Sequence, residues 1–174
     1  MREVERLIYN YNEEDIISLF YEQGQLVLLS NNQVITSRTL EGTYPNYRQL
    51  VPESFSRCVE LDRQKFISTL ERIAILADQH NNVIKIATDA TNQVINITAD
   101  VQDVGSGSES VSIKLKGEDI KIAFNVKYVL EGLRAIDSEK IFLSCNSPTT
   151  PAILSPSTDN KNFTYLVMPI QIRA

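Results

Sequence analysis

The chain has 174 residues, 43% hydrophobic and 22% charged, with 17 basic against 22 acidic side chains and a net charge of −5. That length fits one domain, or one and a fraction, with enough apolar residues to bury a core without disulfide or metal support. The composition excludes a disordered chain, a coiled coil and a collagen-like repeat, and the short apolar runs fall well below the about 20 residues of a bilayer span.

Met1–Tyr11 reads as a helix, because Val4, Leu7, Ile8 and Tyr11 follow helical spacing. Strands are expected at 15–22, 25–30 and 33–40, separated by Gly24 and by Asn31-Asn32, which suit tight hairpin turns. Residues 41–52 hold Gly42, Pro45 and Pro52 and read as an extended loop. A strand over 54–61 leads to Asp62, a good N-cap for a helix over 63–79 with Phe66, Leu70, Ile73, Ala74 and Ala77 inward. Further strands are expected at 83–88, 93–100 and 108–116, with Gly105-Ser-Gly-Ser as a turn. The last block has a strand over 119–124 and a helix from the N-cap Asn125 to about Ile136. Strands near 140–145, 151–154 and 162–172 complete it. The chain thus reads as helix and three strands, then twice as strand, helix and three strands, a period of about 58 residues. Hairpins with one helix per block indicate an α+β fold of antiparallel sheets, with helices on one side.

Catalytic signals are weak. His80 is the one histidine and sits at a helix end, where capping or a surface position is the usual role. Cys58 and Cys145 lack an activating context and C-x-x-C spacing, and read as reduced, mostly buried thiols of a cytoplasmic protein. Glu13-Glu14-Asp15 reads as a solvated turn rather than a metal site, and no phosphate cradle or nucleophile elbow is present. The start mixes charges of both signs without an apolar h-region, so a signal peptide is not expected. The acidic balance argues against a simple phosphate-neutralising protein, although one local face can still be basic. Two segments stand apart from ordinary core: the aromatic, proline-bearing loop 42–52, and the C-terminal stretch 165–174, whose Pro169 ends a strand or marks an edge.

Glu41-Gly-Thr-Tyr-Pro-Asn-Tyr-Arg-Gln-Leu-Val-Pro resembles the interdomain connector of the bacterial sliding clamp, the β subunit of DNA polymerase III. Ala123-Phe-Asn-Val-Lys-Tyr-Val-Leu-Glu-Gly-Leu resembles a strand–helix junction of its last domain, and Leu166-Val-Met-Pro-Ile-Gln-Ile-Arg resembles its tail. The three motifs occur in family order. The resemblance implies a DNA-clamp fold of about one and a half domains. Residues 1–50 would be the second half of the middle domain, 41–54 the connector and 55–174 the complete last domain. It implies a non-catalytic processivity factor without cofactor or metal, working in the cytoplasm on encircled duplex DNA.

The expected partners are the polymerase catalytic subunit, the clamp loader and repair proteins, docking through Gln-x-x-Leu-Phe-like segments. Matched residue by residue, the peptide site would comprise Pro45, Gln49 and Leu50; Asn125, Tyr128 and Pro151; and Leu166, Val167, Met168, Pro169 and Ile170. Gln49 stands where the family often has a basic residue. Arg63, Lys65, Arg72, Lys127 and Arg134 would face DNA. The family's first domain and a half would be absent, which implies weakened peptide binding, no normal ring, and an uncovered half-domain that pairs with another copy or with the missing fragment. The competing readings are a small ligand-binding or enzymatic α+β domain and a structural dimerisation module.

Overall fold

The computed structural model describes residues 16–30, 33–44, 46–77, 82–101, 105–158 and 163–171, together with Val4, Arg6 and Tyr9, which are helical. His80 and the acidic cluster 13–15 lie outside the described residues, as does most of the expected first helix. The chain divides into two compact units, Met1–Pro45 and Asn46–Ala174.

The first unit carries β1 (Ser18–Glu22), β2 (Gln25–Leu29) and β3 (Val34–Arg38) in one antiparallel sheet of that order. Gln23 and Gly24 both take positive φ, 47° and 78°, which gives the hairpin turn whose twist matches the strands. Register sets Leu19, Leu28 and Ile35 on one face, and Phe20 and Val27 on the other. Leu28 is buried, while Leu19, Phe20 and Tyr21 are exposed.

The second unit holds β4 (Arg57–Asp62), α1 (Arg63–Ala77), β5 (Val83–Asp89), β6 (Val94–Val101), β7 (Gly105–Ser112) and β8 (Lys114–Lys116). These are followed by β9 (Lys121–Asn125), α2 (Val126–Ala135), β10 (Lys140–Cys145), β11 (Ala152–Pro156) and β12 (Tyr165–Val167). Asp62 caps α1 by accepting from the Lys65 amide at 2.8 Å, and Asn125 caps α2 by accepting from the Lys127 amide at 3.0 Å. One sheet runs β12-β11-β10-β4-β8 and the other β7-β6-β5-β9. The strand leading into each helix therefore joins the sheet formed after the other helix. β4 precedes α1 but pairs with β10, and β9 precedes α2 but pairs with β5. The core lies between these sheets and helices, around Phe66, Leu70, Ile84, Ile97, Phe124, Leu133 and Leu154.

The expected strand over 108–116 is two strands, and the expected Gly105-Ser-Gly-Ser turn is the start of β7. Buried Ile113 marks the switch: its amide donates to Gln93 O at 2.9 Å, after which the chain leaves β6 for β4. The expected strand over 162–172 is shorter, because Pro169 has no amide to donate. Among the described residues, no helix is long and apolar enough to cross a membrane.

Candidate functional site: the tail strip

The tail spans the two sheets. β12 pairs with β11, placing Leu166 opposite Ile153 and Val167 opposite Ala152. Past Pro169, the Ile170 amide donates to Ala123 O at 2.8 Å, on the edge of β9. Tyr165 anchors the start of this crossing against α2. A Cβ added at Gly132 would lie 2.5 Å from the Tyr165 ring, so only glycine admits the contact. Burial, with the Glu131 carboxylate and Tyr128 nearby, pushes the Tyr165 phenol up.

Around the crossing, Tyr128 and Met168 are each more than half exposed, and Leu166, Pro169, Ile170 and Pro151 are half-buried. Asn125 stands at the start of α2, with its side-chain oxygen committed to the cap. The structure thus brings together the junction and tail residues expected from sequence. Val167 is the exception: it is buried in the core and offers no surface to a ligand. Gln49 ends an exposed 3-10 turn, Tyr47–Gln49, and Leu50 caps it, its amide donating to Tyr47 O at 2.9 Å. Pro45 lies outside the described residues.

A groove of about 670 Å³ lies on the outer face of the four-stranded sheet, walled by Pro148, Thr149 and the tail. Of the residues expected at the peptide site, only Ile170 lines it. Its floor comes from Lys85, Ala87, Lys121 and Ala123, which sequence reasoning missed. The available signal was strand alternation: these residues alternate with inward Ile86 and Ile122, leaving Lys85 and Lys121 exposed and Ala87 half-buried, while Ala123 is buried.

The residues expected to face DNA are largely engaged within the protein. Arg63 donates to the Ser138 carbonyl at 2.7 Å and to that of Leu133 at 3.3 Å, tying α1 to the end of α2. Arg72 pairs with Glu109, holding that carboxyl below its usual range, and Arg134 pairs with Glu71 at 2.7 Å. Lys65 and Lys127 are exposed. Cys145 faces the core, where burial pushes its thiol up and disfavours a nucleophilic thiolate. Cys58 is opposite Ser144 on the other face of the same sheet. Among the described residues, no three His, Cys, Asp or Glu side chains cluster to hold a metal.

Two antiparallel sheets with interchanged leading strands, a pair of helices and an apolar strip along the tail define a clamp-type α+β scaffold. A family profile described as DNA polymerase III beta subunit, C-terminal domain, matches residues 48–171. A beta sliding clamp of Synechococcus elongatus is 47% identical over all 174 residues, which span 46% of that relative. A beta sliding clamp of Synechocystis is 38% identical over 172 residues, 99% of this chain and 44% of that relative. The crystal structure of DNA polymerase III beta subunit from Thermotoga maritima superposes with a TM-score of 0.80 at 26% identity. It covers 99% of this chain and 46% of that one. The chain belongs to the bacterial beta sliding clamp family and spans about half the length of the curated relatives it matches.

Proposed function

We propose that this chain works as the C-terminal portion of a replicative sliding clamp, and that its tail strip docks short peptide segments of replication and repair proteins. The observation that carries this reading is the convergence of exposed Tyr128 and Met168 with half-buried Leu166, Pro169 and Ile170 where the tail crosses from β12 to β9. Such a strip suits apolar anchors, and a flexible methionine suits partners of differing shape. In this role the chain is a non-catalytic, cytoplasmic tether. It raises the effective concentration of a bound polymerase at DNA and needs no cofactor. Duplex contact would be non-specific, with exposed Lys65 the candidate among the residues expected there. Arg72 and Arg134 already hold carboxylates, and Arg63 is bound to carbonyls.

Isothermal calorimetry with a Gln-Leu-Ser-Leu-Phe peptide tests the reading. Saturable binding is expected, weakened about tenfold or more by Met168→Ala or Tyr128→Ala. Heat no different from dilution at millimolar peptide would overturn it.

Self-association belongs to the same proposal. The first unit's sheet exposes Leu19 and Tyr21 on one face and Phe20 on the other, and its β1 edge has no partner strand among the described residues. Light scattering should show an average mass that rises with concentration. A constant monomer mass would count against pairing.

A further inference from the structure

We propose that the groove on the outer face of the four-stranded sheet receives the acidic flank of a peptide docked on the tail strip, an inference that rests on the function proposed above. The groove follows from register. Lys85 lies opposite Ala123, and Ala87 opposite Lys121. The two alanines are diagonal neighbours, with half-buried Ala87 facing the shallow trough and Ala123 buried, and the two lysines occupy the other corners. Small side chains at these positions leave the space that Pro148 and Ile170 wall in.

Charge selects the occupant. The lining contains two lysines and no carboxylate, although the whole chain carries −5. Lys85 is already paired with Asp100 at 2.8 Å on β6. Lys121 has no ion pair among the described residues, and it is the cation left for a ligand. An extended segment with one small apolar side chain over Ala87 and a carboxylate beside Lys121 matches both features. Continuity points the same way, because Ile170 belongs to the tail strip and to the groove wall alike. A peptide lying along the tail therefore has a direct route past Ile170 into the trough. The volume, about 670 Å³, falls in the range of about 300–1,000 Å³ common to ligand sites.

The test uses the full chain and two labelled peptides in fluorescence anisotropy: Gln-Leu-Ser-Leu-Phe with a neutral Ser-Gly flank, and the same core preceded by Asp-Ala-Asp. The acidic flank should tighten binding about two- to fivefold at low salt, an advantage that shrinks as salt rises. In Lys121→Glu the difference between the peptides should vanish or reverse. Binding of both peptides with equal affinity, or an advantage that survives Lys121→Glu, overturns the groove assignment and leaves the tail strip standing. Failure of both peptides to bind overturns the two readings together. A Lys121 dependence seen only with duplex DNA assigns the groove to phosphate and likewise overturns the proposal.

Discussion

A missing side chain sets the distance between α2 and the tail. Gly132 lies inside the helix, where glycine costs about 1 kcal/mol relative to alanine. The Tyr165 ring occupies the space that alanine would need. Overpacking costs about 1–3 kcal/mol, which exceeds the propensity gain. Gly132→Ala should therefore destabilise the wild-type chain by about 1–2 kcal/mol in urea unfolding. In a Tyr165→Ala background the same substitution should stabilise it by up to about 1 kcal/mol. An unchanged sign would show that the ring is not the obstacle. At this scale local signals were legible and distant ones were not. Asn125 reads as a cap from its neighbours alone, and it caps. Arg63 reads as a free cation, because its carbonyl partners, Leu133 and Ser138, are remote in sequence. Val167 could not be separated from Leu166 without knowing which strand each faces.

Elements were legible wherever periodicity was unbroken. Both helices of the second unit start where their caps sit, and most strand boundaries fall within a residue or two of the expected ones. The stretch 105–116 was misread because Gly105-Ser-Gly-Ser carries turn residues and Val111, Ile113 and Leu115 alternate with polar residues like a single half-buried strand. Only the partner strands reveal that it changes sheets at Ile113. Two element-level outcomes follow from the hydrogen bonds. Asn125→Ala removes the α2 cap and should cost about 1 kcal/mol, read as a lowered Tm in circular dichroism. The turn joining β5 to β6 depends on Asp89, whose carboxylate accepts from the Asn92 amide at 2.9 Å and its side-chain nitrogen at 2.8 Å. These bonds, the backbone one foremost, hold the Asp89 pKa below its ordinary value. The contribution is present above the ordinary carboxylate pKa and fades as pH falls through the lowered one. An NMR titration should show Asp89 protonating at lower pH than in an Asn92→Ala variant. Coincident titrations would refute the contribution of the Asn92 side chain, the backbone bond being retained in the variant.

On the scale of the whole molecule, the repeated order of a strand, a helix and a run of strands was readable, though the first run holds four strands, β5 to β8, and the interchange of β4 and β9 was not readable. Periodicity shows that a strand has a buried face; it does not say which sheet the strand joins. The interchange makes the two halves of the second unit mutually dependent. Residues 46–174 expressed alone should unfold in one transition, coincident by near- and far-ultraviolet circular dichroism, whereas residues 46–118 should not fold. Separate transitions for 46–174 would contradict that dependence. The antiparallel register of β4 with β10 has a consequence for chemistry in the cell. Cys58 and Cys145 look out from opposite sides of one sheet. To bring their sulfurs together, one strand would have to slip by a residue, turning one strand's buried pair, Val59 and Leu61 or Ile141 and Leu143, towards water. An oxidant therefore finds no internal bridge to close. The fold should melt at the same temperature with or without reductant, leaving the molecule indifferent to the redox swings of its surroundings.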